Sequence, residues 1–230
     1  MRPDHRLVLA ALLVGACRAK APTPAEPPPV ATSSPLTVSG PDSLLGLLRL
    51  GGPPADGSGL LPGPMQLRAA PDDSADVLVT ITRWQDLVAE EISYEEPAVA
   101  VFRAAVPWYL VAASDSVFGW YHAPEDATMV GVAELLPERL AYLTAAWDGT
   151  IHREPVAGSP IVGITVDRLH GEASIEVLET RMVEGGLWVR VAIHESSPCE
   201  GTVSPETIAT GWVPAWSRGK LNVWYYSRGC

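Results

Sequence analysis

The residues that could carry catalysis in this sequence are its histidines and cysteines, and their spacing matches no common catalytic arrangement. Beyond the first 16 residues the histidines are His122, His152, His170 and His194. His194-Glu195 lacks the second histidine that an H-E-x-x-H zinc site requires, and Cys199 has no histidine after it. The sequence also has no G-x-S-x-G elbow and no glycine-rich phosphate loop. We therefore predict a non-enzymatic protein without a metal site or cofactor.

Two pairs of acids are the remaining candidates for acid–base chemistry, Glu90-Glu91 and Glu95-Glu96. Paired carboxylates can divide the roles of acid and base when their surroundings separate their pKa values. A run of charge on a solvated loop is the commoner reason for such a pattern, and we favour it here.

The aromatic composition favours binding over a dry core. The chain has eight Trp and six Tyr but only two Phe, and Trp and Tyr combine an apolar ring with a polar tip. The 20 Gly and 22 Pro favour many turns and short strands. A net charge of -11 disfavours nucleic acid and anionic lipid surfaces, which bind clustered Lys and Arg.

Tryptophans mark two copies of one pattern. Trp108 and Val111 are followed by Gly119-Trp120, and Trp188 and Val191 are followed by Gly211-Trp212. Short β-rich runs with turn residues between them surround both copies, which predicts an all-β chain. The predicted strands cover residues 65–71, 77–82, 86–92, 98–104, 108–112, 118–122, 175–180 and the run from 188.

The N-terminus has the features of an export signal. Arg2 and Arg6 precede an apolar run, Leu7–Ala16, that is too short to span a bilayer as a helix. The run ends Leu-Val-Gly-Ala-Cys17 and resembles the bacterial lipobox, which implies cleavage before Cys17 and lipid attachment to that residue. An ordinary secretory signal with an incidental cysteine is the alternative.

The segment after the signal is predicted to be a spacer. Residues 18–41 hold seven prolines and almost no large apolar side chain, so they cannot bury enough surface to fold. Residues 42–63 complete a region, 17–63, that we describe as lipidated cysteine, tether and short arm. Within it Ser43–Leu50 fits either two helical turns or a loosely packed arm.

The repeated pattern resembles the bacterial SH3-like (SH3b) domain. The first copy matches its opening, tryptophan and glycine-tryptophan elements at Leu67, Arg68, Pro71, Ser74, Trp108, Val111, Gly119 and Trp120. It departs from the pattern in its acidic insertion and at Tyr121-His122, where a valine is usual. The second copy matches at Ile151, Pro155, Trp188, Val191, Gly211, Trp212 and Val213, with His152 in the place of Arg68. The resemblance implies two small barrels in tandem, 64–140 and 141–230.

Two cysteines remain if Cys17 carries lipid. In an exported chain, a disulfide between Cys199 and Cys230 is the simplest prediction, and it would fix the C-terminus to the loop after the tryptophan strand. Free thiols or an intermolecular bridge are the alternatives. The cluster Trp224, Tyr225 and Tyr226 is not explained by the repeat and is expected to pack as an extra strand.

The resemblance also implies a function, because SH3b domains occur in exported proteins and several bind cell-wall peptides. We expect a groove lined by Trp120, Tyr121, Trp212 and Trp216, with Trp108 and Trp188 more consistent with core positions. The acidic first repeat, with thirteen acids and four Arg over 64–140, suits an amine-bearing ligand better than a phosphate polymer. The expected function is non-catalytic peptidoglycan binding from a lipid anchor that faces the periplasm, in the outer membrane. The alternative is a protein–protein adaptor in an envelope complex.

Overall fold

The computed structural model describes residues 43–50, 59–114, 116–162, 173–184, 186–197, 199 and 205–229. The predicted signal peptide, Cys17, most of the tether and Cys230 lie outside these residues. The described part belongs to one compact unit.

Antiparallel strands make up most of the described chain, which confirms the all-β prediction. The strands of the first half are β1 (Gly46–Arg49), β2 (Leu60–Arg68), β3 (Val77–Arg83), β4 (Ala89–Ser93), β5 (Glu96–Ala105), β6 (Trp108–Ser114), β7 (Val117–His122) and β8 (Thr128–Gly131). Those of the second half are β9 (Ala141–Leu143), β10 (Ala173–Val183), β11 (Gly186–His194), β12 (Thr207–Pro214), β13 (Trp216–Ser217), β14 (Lys220–Leu221) and β15 (Val223–Tyr225). Between them lie a 3-10 turn, Trp84–Asp86, and a one-turn helix, α1 (Val132–Leu135).

The strands form two main sheets that divide between β8 and β9. The first has the order β3-β2-β7-β6-β5-β1-β8, with β4 also paired to β5. The second has the order β12-β11-β10-β9-β15, and β13 and β14 form a small separate hairpin. The chain passes from the first sheet to the second between Gly131 and Ala141, close to the predicted domain boundary at residue 140. Both main sheets nevertheless contribute to a common core.

That common core is organised by β5, which is buried on both faces. Ala98 and Ala100 pack into the larger core cluster, together with the buried residues of the second sheet. Val99 and Val101, on the other face, pack into a second cluster made of the first repeat and the segments just before it. We call these the shared core and the first-repeat core. Strands covered on both faces have continuous apolar sequences, as β5 has here.

The segment 43–50 contains the strand β1 (Gly46–Arg49), so the helical interpretation of it is wrong. This strand pairs with β5 on one side and β8 on the other. Leu47 faces the shared core and Leu48 the first-repeat core, and both are fully buried. The leucine run does not predict a strand, because a strand buried on both faces lacks the alternation of apolar and polar residues.

The two tryptophan-marked copies have the same strand register. Val111 lies opposite Gly119 in the first copy, and Val191 lies opposite Gly211 in the second. Arg68 pairs with Trp120, and His152 forms the equivalent bridge with Trp212. The positions matched from the sequence therefore have equivalent pairing partners in the two sheets, and the two tandem SH3-like barrels stay a prediction.

The acidic pair Glu90-Glu91 lies on strand β4, so its assignment to a solvated loop is wrong. The carboxylate of Glu91 accepts hydrogen bonds from Ser227 Oγ (2.9 Å) and from Arg228 Nε (2.9 Å). The Tyr225 hydroxyl donates to the Glu91 carbonyl at 3.0 Å. Burial raises the pKa of Tyr225 to about 12, so this hydroxyl remains a donor over the ordinary pH range. The C-terminal segment is thus fixed onto the first repeat.

The extra C-terminal strand is present as β15, which pairs with β9. Trp224 and Tyr225 are buried in the shared core. Cys199 is disulfide-bonded. Because Cys230 lies outside the described residues, the pairing of these two cysteines stays a prediction.

The glycines of the two Gly-Trp pairs are required by close strand contact. A Cβ at Gly119 would lie 2.6 Å from Leu67 Cβ, and one at Gly211 would lie 2.3 Å from Ile151 Cγ2. We expect Gly119→Ala and Gly211→Ala each to lower the free energy of unfolding by about 1–3 kcal/mol through overpacking. Gly131→Ala is the matched control, because its Cβ would meet nothing closer than 3.9 Å. Urea unfolding measures all three, and equal midpoints would contradict the close-contact explanation.

The Glu91 contacts predict a pH-dependent contribution to stability. The hydrogen bond from Arg228 holds the pKa of Glu91 below its ordinary value of 4.5. The stabilisation is therefore complete above that value and is lost as the pH falls through the lowered pKa. We expect Glu91→Gln to lower the thermal midpoint at neutral pH and to match the wild type in acid.

Glu206→Gln, an exposed acid without side-chain contacts among the described residues, is the control and should change little. Burial raises the pKa of the neighbouring Glu90 in both proteins, which acts in the opposite direction, and the charge of Glu91 adds to this rise in the wild type alone. A difference between wild type and Glu91→Gln that stays constant with pH would contradict the assigned ion pair.

Candidate functional site

A cleft with a volume of about 750 Å³ lies on the first repeat. Its walls are β2, the 69–76 turn, the end of β7 and the segment that follows β7. Its apolar lining includes Met65, Ala123 and the prolines Pro62, Pro64 and Pro124. The polar lining consists of Gln66, Arg68, Asp73, Tyr121, His122, Glu125 and Asp126. We call it the first cleft.

The 69–76 turn places Asp73 in the first cleft through local hydrogen bonds. The Asp72 carboxylate accepts from the Ser74 backbone N–H and hydroxyl, both at 2.7 Å, and these bonds lower the pKa of Asp72. Arg68 Nη1 donates to the Ala75 carbonyl at 2.7 Å and fixes the far side of the turn. A hydrogen-bonded turn at Asp72-Asp73-Ser74 therefore connects β2 and β3.

Two aromatic side chains form one side of this cleft. The His122 ring stacks on Trp108 with centroids 4.6 Å apart, and His122 Nδ1 lies 3.4 Å from an Asp73 carboxylate oxygen. Burial, and secondarily the charge of Asp126, raise the pKa of Tyr121, so its phenol stays protonated at neutral pH. The cleft thus offers a phenol and an imidazole beside charges of both signs.

The four side chains predicted to bind ligand do not share one groove. Tyr121 lines the first cleft. Trp120, the residue before Tyr121 on β7, is half-buried, and its backbone pairs with Leu110 and Arg68. Trp212 is 5% exposed and lines a different cleft on the second repeat. Trp216 contacts Phe102 edge-on, with centroids 6.3 Å apart. Their role in binding stays a prediction, and the structure favours Tyr121 among the four.

The core interpretation of Trp108 and Trp188 agrees with their burial, since both are 8% exposed. Trp108 supports the ring of His122, and Trp188 contacts His152 edge-on at 5.2 Å. In each repeat this tryptophan is therefore a buried residue that packs against a more exposed histidine.

The cleft on the second repeat has a volume of about 360 Å³ and a different charge. Three arginines line it, with two glutamates, Trp212 and the backbone at Gly211. These charged residues are Arg153, Arg181, Arg190, Glu154 and Glu179. We call it the second cleft.

Several first-cleft residues were missed from the sequence. Asp73, Glu125 and Asp126 belong to turns and to the general acidic charge of the first repeat, and His122 belongs to a predicted strand, so the sequence does not mark them as a binding site. The available signal was the departure at Tyr121-His122, because a histidine where a valine is usual places a polar group at the end of β7. No local sequence pattern indicates that the 69–76 turn lies beside Asp126 in the folded protein.

Within the described ranges no group of three or more His, Cys, Asp or Glu side chains is arranged to hold a metal ion. The same residues include no helix long and apolar enough to cross a membrane.

Comparison with known proteins gave no family for the chain. No family model matches the sequence, and no curated protein matches it significantly.

Proposed function

We propose that the protein is a non-catalytic binding module of the bacterial cell envelope that recognises peptidoglycan stem peptides. In this proposal Cys17 carries the lipid anchor, the proline-rich segment spaces the folded part from the outer membrane, and two SH3-like repeats face the periplasm. The observation that carries the proposal is the composition of the first cleft, where carboxylates and a guanidinium surround Tyr121 and His122.

The charges of the first cleft suit a peptide that carries both an amine and carboxylates. Asp73, Glu125 and Asp126 offer three carboxylates for a cationic amine. Arg68 offers donors for a ligand carboxylate, since the protein acceptors Ala75 O and Gln66 Oε1 engage only two of its nitrogens. Stem peptides combine these groups on short apolar side chains, and the proline and alanine walls would contact those.

The size of the first cleft also supports a peptide ligand. A volume of about 750 Å³ lies within the range of pockets that hold small ligands. Tyr121 and His122 give contact area with few rotatable bonds, which is how aromatic side chains add affinity at low entropic cost.

Binding to purified sacculi tests the proposal. The double variant Asp73→Asn/Asp126→Asn should be retained on the order of fivefold more weakly, because it removes two exposed charge contacts to the ligand amine. Acetylating the free amines of the sacculi should weaken the wild-type protein to a similar degree. The double variant Asp86→Asn/Glu134→Gln removes two exposed acids elsewhere and should bind as the wild type does.

Retention of the wild-type protein no greater than that of an unrelated acidic protein would overturn the proposal. Crosslinking in cells then distinguishes the adaptor alternative, which requires one discrete protein partner. Adducts with cell-wall fragments alone would instead support stem-peptide recognition.

A further inference from the structure

The second cleft differs from the first in the residues that define its charge. In the duplicated register Arg190 lies opposite Trp212, and its counterpart Leu110 lies opposite Trp120. Leu110 is fully buried, whereas Arg190 is exposed and lines the second cleft. The guanidinium is therefore a feature of the second repeat and not of the repeated pattern.

Arg181 is held in place from two sides. Its guanidinium carbon lies 4.9 Å from the centre of the Trp212 ring, a cation–π contact. Its Nη2 donates to Glu179 Oε1 at 2.5 Å. The Trp212 ring is only 5% exposed, and its contact on this side is with the Arg181 guanidinium. Trp212 is thus a positioning residue.

The other two arginines of the second cleft have no polar partner among the described residues. Arg190 is opposite Glu179 across the β10–β11 pair, but Glu179 is bonded to Arg181. The side chain of Arg153 makes no hydrogen bond or ion pair within the described ranges. One positioned guanidinium and two unpaired ones therefore line the same concave surface.

From this arrangement we infer that the second cleft binds a carboxylate group. Arginine presents planar, paired N–H donors that match a carboxylate in bidentate geometry. Glu179, already bonded to Arg181, shows that a carboxylate fits beside this guanidinium. The two glutamates leave a small excess of positive charge in a strongly acidic protein, which suits a monoanion better than a doubly charged phosphate.

The inference goes beyond the proposed function and does not depend on it, because the two clefts share no lining residue. The test uses N-acetyl-alanyl-alanine, its C-terminal amide, glucuronate and inorganic phosphate as probes, titrated into the full chain by calorimetry or NMR. The dipeptide and glucuronate present the same carboxylate chemistry from a peptide and a sugar. Tighter binding of one of these two probes shows whether the carboxylate ligand belongs to a peptide or to a sugar.

We expect the acid dipeptide to bind and its amide to bind at least about tenfold more weakly, which is the effect of losing a charge-assisted hydrogen bond. Arg190→Gln and Arg181→Gln should each weaken the acid to a similar degree without weakening the amide. Arg103→Gln, an exposed arginine on β5, is the matched control. The first-cleft variant Asp73→Asn/Asp126→Asn should bind the acid dipeptide normally.

Trp212→Phe tests the positioning role. Phenylalanine keeps most of the buried area but binds a cation less strongly than tryptophan, so it should reduce the preference for acid over amide. A role in folding alone would lower the thermal midpoint and leave that preference unchanged.

Equal binding of acid and amide, failure of both carboxylate probes to bind at millimolar concentration, or phosphate binding tighter than either would overturn the inference. Undiminished binding by Arg190→Gln would also overturn it. If the wild-type protein binds the acid dipeptide but is not retained on sacculi more than an unrelated acidic protein, only the proposed function is overturned.

Discussion

Burial of one pair of strands on both faces is the constraint on which the rest of the structure depends. β5 and β1 lie between the shared core and the first-repeat core, and Leu47, Leu48, Val99 and Val101 are inaccessible to water. Burying each such side chain stabilises the fold by about 1.5–3 kcal/mol relative to exposure. Because both cores use the same two strands, loosening either strand exposes apolar surface on both sides. The repeats are therefore joined by packing as well as by chain connectivity.

The two clefts follow from how each repeat is completed around this centre. In both copies a glycine allows a preceding segment to cross the Gly-Trp strand at close range, and the polar side chains gather beside that crossing. The repeats then diverge: the first collects carboxylates from the 69–76 turn and the segment after β7, and the second collects arginines from three separate segments. Contacts from Tyr225, Ser227 and Arg228 to Glu91 fix the chain end across the two copies. The similar strand register supplies the scaffold, and the sequence differences supply two surfaces of different charge.

Much of the strand pattern could be predicted because it depends on local sequence. Alternation and β-branched residues located β3, β6, β7 and β10, and the tryptophan spacing revealed the duplication. The strand β1 could not be found in this way, since its leucines face two cores and give no period of two. The prediction that Glu91 is a solvated loop residue was wrong because its partner, Arg228, is 137 residues away in the sequence. Arg181, which covers Trp212, and Asp73, which lines the first cleft with Tyr121, also come from distant segments. The sequence therefore indicated aromatic positions without showing which were accessible.

Calorimetric unfolding of the wild-type protein and Leu47→Ala tests most directly whether the two repeats share one core. We predict a single transition in which the calorimetric and van't Hoff enthalpies agree. Leu47→Ala should lower that whole transition, with a loss of about 2–5 kcal/mol, because the cavity lies in the shared core. Two separable transitions in the wild type, or a variant in which only part of the unfolding shifts, would contradict the account.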